Sequence, residues 1–76
     1  TRAAYRADLA HFTAWGGVLP ATADLVARYL ADHADTLAPA SLARRVATLS
    51  KVHAANDWPN PCQSEVVRAT LRGIRR

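Results

Sequence analysis

Every proline and glycine in the 76-residue chain stands where one set of apolar residues at helical spacing gives way to the next. Gly16-Gly17 closes a stripe of Tyr5, Leu9, Phe12 and Trp15, and Pro20 precedes a second stripe of Val26, Tyr29, Leu30 and His33. Pro39 opens a third, with Leu42, Val46, Leu49 and His53 in one narrow arc and Val52 on its flank. Asp57-Trp58-Pro59-Asn60-Pro61 separates it from Val67, Leu71 and Ile74, with Gly73 marking the end. Glycine suits the residue just past a helix and proline the first turn, where a missing N–H costs nothing. Alanine is abundant and no β-branched alternating run interrupts the pattern, so local propensity favours helix throughout. The spacing predicts an all-α bundle with helices over about 2–15, 22–35, 39–56 and 64–73. Thr1 and Thr22 are placed to cap the first two.

This length fits one small domain, which hides only about 60% of its unfolded surface and needs every element for a single core. Little material is left for an elaborate active site. No apolar run approaches the roughly 20 residues of a membrane span and no charged-then-apolar leader opens the chain, so no membrane partner is expected. The single cysteine, Cys62, cannot form an internal disulfide and makes a poor metal site alone, which suits a reducing, cytoplasmic setting. It sits beside Pro61 with no identifiable base.

No glycine-rich phosphate loop, zinc spacing or nucleophile elbow is present. The five aspartates and one glutamate form no pair that the pattern places in a cleft, and His11, His33 and His53 lie on separate segments. Tyr5 and Tyr29 fall on apolar stripes and read as core. No catalytic residue, metal ligand or cofactor is expected.

Charge is unevenly spread. Residues 1–39 hold three arginines against four aspartates, net −1, whereas residues 40–76 hold seven cations against Asp57 and Glu65, net +5. The positive half suits a polyanionic partner such as DNA or RNA. In the first segment Arg2, Arg6 and Thr13 flank the apolar stripe, and Ala3, Ala7, Ala10 and Ala14 form the back. An alanine back admits close approach of another surface and is equally an ordinary solvent-facing helix. The second segment is acidic opposite its stripe, through Asp24, Asp32 and Asp35, a poor face for phosphate. The third presents Ser41, Arg44, Thr48 and Lys51 on its outward arc, with Arg45 on the rim. Cations interleaved with short hydrogen-bonders equip a helix to read a major groove, and they also describe a plain solvated face. Arg68, Arg72, Arg75 and Arg76 gather outside and beyond the fourth segment. There they can track phosphate or complement the negative end of the helix.

Thr1-Arg2-Ala3-Ala4-Tyr5-Arg6-Ala7-Asp8-Leu9 with Phe12 and Trp15 resembles the first-helix signature of the core-binding domains of tyrosine recombinases, the phage-integrase family. Pro20-Ala21 with Val26, Tyr29 and Leu30 resembles their second helix. Ser41-Leu42, Arg44-Arg45-Val46, Leu49 and His53 are similar to their groove-reading helix, and Pro61, Val67-Arg68 and Arg72-Gly73-Ile74-Arg75-Arg76 to the closing element. The second block and the third helix look nearest to the Cre-like branch. The resemblance implies a SAM-like orthogonal bundle of four or five helices that forms one jaw of a clamp on duplex DNA. A catalytic domain following Arg76 would be the other jaw, supplying the arginines, histidines, lysine and tyrosine of strand exchange.

By position, the resemblance implies that Thr1, Arg2, Ala3, Ala4, Arg6 and Ala7 face DNA from the first helix. It implies the same of Ala40, Ser41, Arg44, Arg45, Thr48 and Lys51 from the third. Arg44 and Thr48 would touch bases, while Arg2, Arg6, Arg45, Lys51 and Arg72 would hold phosphates. Ala40 departs from the Lys or polar residue usual in relatives, and the alanine-rich first helix favours phosphate and thymine-methyl contact over hydrogen-bonded readout. The partners implied are a double-stranded recombination site and other recombinase protomers in a synaptic complex, at the nucleoid of a bacterial or phage-infected cell. Two other readings use the same residues. A SAM-like protein-interaction module would use the apolar and alanine surfaces, and a helix-turn-helix regulator would need a tight turn that Asp35 to Pro39 supplies only ambiguously.

Overall fold

The computed structural model describes residues 2–75, which form four α-helices and one short 3₁₀ turn, with no strand among them. These are α1 (Arg2–Trp15), α2 (Ala23–His33), α3 (Pro39–Ala55), the 3₁₀ turn Pro61–Gln63, and α4 (Glu65–Arg75). The all-α bundle expected from the sequence is the fold found. Thr1 and Arg76 lie outside the described residues, and with Thr1 its expected cap.

Two helices close in the same way. Gly16 takes φ +116°, its N–H donates to the Thr13 carbonyl at 3.1 Å, and the Gly17 N–H donates to the Phe12 carbonyl at 3.0 Å. This paired closure consumes carbonyls that the helix end would otherwise leave orphaned. A Cβ at Gly17 would collide with the Phe12 ring, so only glycine lets the chain turn this close to the core. At the end of α3, Asp57 takes the left-handed position (φ 55°), and the Asp57 and Trp58 N–H groups donate to Ala54 and His53 at 3.2 and 2.9 Å. The Trp58 ring stands edge-on to His53, 5.6 Å between centroids, providing the apolar contact that this closure favours.

Two boundaries differ from expectation. Helix α2 ends at His33 rather than near Asp35, because Thr36 and Leu37 both donate to the His33 carbonyl and the turn returns Leu37 to the core. Helix α4 runs through Gly73 to Arg75, since Gly16 is the only glycine with positive φ. Continuing the helix packs Ile74 against the core. A Cβ at Gly73 meets nothing within 4 Å, and glycine inside a helix is worth about 0.5–1 kcal/mol less than alanine. Gly73→Ala is therefore expected to stabilise the domain by about that amount in a denaturant titration. A destabilised variant would mean that the helix breaks at this residue after all.

The core is built from Phe12 of α1, Val26, Tyr29 and Leu30 of α2, Leu42 and Leu49 of α3 and Val67 of α4, all essentially inaccessible. Thr22 caps α2 as expected, its hydroxyl accepting from the Leu25 N–H at 3.2 Å. His53 lies fully buried among these residues. Its Nε2 accepts from the Ala21 N–H at 2.9 Å, and its Nδ1 bonds the Leu49 carbonyl at 2.6 Å. That pair of partners requires the ring proton on Nδ1. One imidazole thus ties the segment entering α2 to α3. Asn60 works similarly at the other end, capping the 3₁₀ turn through Cys62 N–H and donating to Ser50 Oγ at 2.7 Å. Burial pushes the Cys62 thiol up to about 11, so at neutral pH the sulfur is protonated and unreactive.

Candidate nucleic-acid interface

Helices α1 and α3 pack side by side, which brings the first- and third-helix candidates to one surface. Between them lies a cleft of about 140 Å³ lined by Ala4, Tyr5 and Asp8 from α1 and by Arg44, Ala47, Thr48 and Lys51 from α3. The α3 set recurs every three or four residues and so forms one stripe along the helix. Alanine at 4 and 47 keeps the cleft open where longer side chains would fill it.

The floor of the cleft holds an ion pair. Asp8 is only 3% exposed, and its carboxylate meets two donors. Arg44 Nη2 donates to Oδ1 at 2.7 Å, and the Thr48 hydroxyl donates to Oδ2 at 2.9 Å. The Arg44 side chain remains 54% exposed while that of Asp8 is 2% exposed, so the cation spans the boundary between interior and solvent. The geometry corrects the placement of Thr48. Its arc on an isolated helix points outward, but α1 covers that arc and leaves Thr48 buried beneath Asp8.

Arg45 is likewise turned inward. Its Nη1 donates to the Tyr29 hydroxyl at 3.0 Å, and its Nε is buried without a partner among the described residues. Lys51, Arg2 and Arg6 are exposed and make no ion pair among the described residues. Ala3, Ala7 and Ala40 are exposed, whereas Ala4 and Ser41 are half-buried. Arg72 lies apart from the cleft on α4, paired with Glu65 at 2.6 Å in full view of solvent. Such a surface pair is worth at most about 1 kcal/mol and can be exchanged readily for another anion. Thr1 lies outside the described residues.

Tyr5 differs from its expected core role, being half-exposed on the cleft wall and separate from the core cluster. His11 and His33 converge with ring centroids 5.0 Å apart, and His11 Nδ1 lies 2.7 Å from the Tyr29 hydroxyl. The Tyr29 hydroxyl therefore lies between the Arg45 guanidinium, from which it accepts, and the His11 ring. His11 is held below its ordinary value of 6.5, first by burial, then by the Arg45 guanidinium and His33, with Asp8 opposing. The unfolded chain therefore takes up this proton at higher pH than the folded one. The contribution of His11 to stability is complete above pH 6.5 and is lost as pH falls towards the lower folded value. Melting temperature is expected to drop between pH 7 and 5, with a shallower drop in His11→Gln. Identical pH profiles would contradict this assignment.

Among the described residues no helix is long and apolar enough to cross a membrane, and no three His, Cys, Asp or Glu side chains gather where a metal could sit. The chain is 34% identical, over an 84-residue alignment that takes in its whole length, to an integrase/recombinase of Selenomonas ruminantium described as a xerD homolog. It spans about 25% of that relative's length. No family model and no solved structure matches.

Proposed function

We propose that this domain grips duplex DNA as the non-catalytic clamp jaw of a tyrosine recombinase, with a SAM-like arrangement of its helices and a catalytic domain following Arg76. The observation that carries the reading is the α1–α3 surface, where an open cleft is edged by exposed Lys51 and by Arg44 held on a buried carboxylate. Similarity to an integrase/recombinase along the whole chain supports it. In this reading Arg44 meets base edges, and Arg2, Arg6, Lys51 and Arg72 hold phosphates. Thr1, Ala3, Ala4, Ala7, Ala40 and Ser41 give close van der Waals approach along the backbone. Thr48 and Arg45 act from beneath, through Asp8 and Tyr29. The partners are a double-stranded recombination site and further recombinase protomers in a synaptic complex, at the nucleoid of a bacterial or phage-infected cell. The block around Pro20 to Leu30 and the sequence of α3 favour the Cre-like branch.

Two substitutions separate the kinds of contact. Arg44→Ala is expected to cost about 1–3 kcal/mol and to relax discrimination at one base position. Lys51→Ala is expected to weaken every duplex alike and to flatten the salt dependence by about 0.9 logarithmic units per decade of salt. Fluorescence titrations on a panel of duplexes read both. Equal effects on all sequences would remove Arg44 from base contact. A protein-binding module would instead show no amide shift in α1 or α3 on adding duplex DNA.

A further inference from the structure

A buried carboxylate on a DNA-facing surface is unexpected, since it opposes the phosphates that the surface is to meet. We propose that Asp8 is a specificity-determining residue, a positioning group that converts Arg44 from a phosphate clamp into a base reader. The proposal rests on the DNA-binding reading given above.

Three features of the geometry support it. First, the Asp8 carboxylate is nearly inaccessible and has Arg44 and Thr48 as its two partners, at 2.7 and 2.9 Å. Removing Arg44 from it would strand a buried charge, which is costly, so the guanidinium is firmly tethered. Second, a guanidinium has five N–H donors in a rigid fork, and the tether engages one nitrogen of a side chain that is still 54% exposed. The remaining donors are held in a fixed direction, and the rotamer entropy that arginine would lose on meeting a base edge is already lost. Third, the pair is locally neutral. Arg44 therefore adds little to the long-range attraction of DNA, which depends on net charge, while keeping the directional donors that match guanine O6 and N7. Lys51, one helical stripe position along, is the contrast. It has mobile donors and no counter-charge among the described residues.

This arrangement predicts an inversion that a residue serving only the fold would not produce. In Asp8→Asn the charge of Arg44 is released and its direction loosened. Affinity for an arbitrary 20-base-pair duplex is expected to rise several-fold, and the salt dependence to steepen by about 0.9 logarithmic units per decade. At the same time, the base preference recovered by selection from a randomised duplex library is expected to fade at the position that Arg44→Ala abolishes. Thr48→Val leaves the charges paired but removes one support of the carboxylate. It is expected to lower the preference with the salt slope unchanged, and Thr48→Ser to restore it. Variants that lose affinity for all duplexes in parallel, or that keep the full base preference, would overturn the role given to Asp8 while leaving DNA binding intact. If the unaltered protein binds no duplex at low salt, the DNA-binding reading itself falls, and this inference with it.

Discussion

Replacing His53 with alanine is expected to destabilise the domain by about 3–5 kcal/mol, the range found for removing a large buried ring. Three losses combine. The imidazole is fully buried between α3 and the chain entering α2, so its removal opens a cavity in a core with few large residues. The Ala21 N–H loses its acceptor, and a buried donor left unpaired costs about 1–3 kcal/mol by itself. The Trp58 ring loses the partner against which it closes α3. A domain of this size has roughly 4–11 kcal/mol in total, so the substitution removes close to half of it. His53→Phe distinguishes the causes, because it fills the space of the ring and deletes both hydrogen bonds. With the cavity filled, though by a slightly larger ring, it is expected to lie between wild type and His53→Ala in urea denaturation. A His53→Ala protein within 1 kcal/mol of wild type would show that the imidazole does not hold α3 to the loop before α2.

The sequence made the helices legible because period and punctuation agree. Pro39 fits a first turn and nothing else in a helix, and the stripe that includes Leu42, Leu49 and His53 is the stripe that is buried. Glycine was less decisive, since the residue type permits a left-handed turn without requiring one. Gly16 makes that turn, and Gly73 continues a helix. The site was legible at the level of helices but not of side chains. A wheel gives the faces of one helix and cannot tell which face a neighbour will cover. In a small bundle α3 is covered from more than one side, and so Thr48 and Arg45 turned inward from an arc that reads as solvent-facing. Asp8 was missed because a charged residue counts by default as surface. A signal was present, since Asp8, His11, Phe12 and Trp15 share a stripe of helical spacing that runs nearer to the core than the one through Tyr5. What identifies Asp8 is its pairing with residues 36 and 40 positions away, which no local pattern encodes.

The second large effect expected is on DNA affinity as salt is raised. Four cations, Arg2, Arg6, Lys51 and Arg72, are assigned to phosphates; Arg44 is excluded because the buried Asp8 neutralises it, whereas the solvent-exposed Glu65 that pairs with Arg72 gives way to phosphate. Each phosphate neutralised contributes about −0.9 to the logarithmic slope, giving roughly −3.6. A fourfold rise in salt, from about 50 to 200 mM, should then weaken binding by about 150-fold. Were Arg44 and Arg45 also free clamps, the slope would approach about −5.4. The slope therefore counts which cations the fold leaves available, and not merely how many the sequence contains.

Titrating a fluorescently labelled duplex with this protein across that salt range tests the grip of the α1–α3 surface most directly. Binding at low salt with a slope near −3.6, flattened in Lys51→Ala and unchanged in the Asp8→Asn/Arg44→Ala double variant, which removes the two paired charges together, is the predicted result. No binding at low salt, or binding indifferent to salt, would contradict the claim that the α1–α3 surface grips DNA.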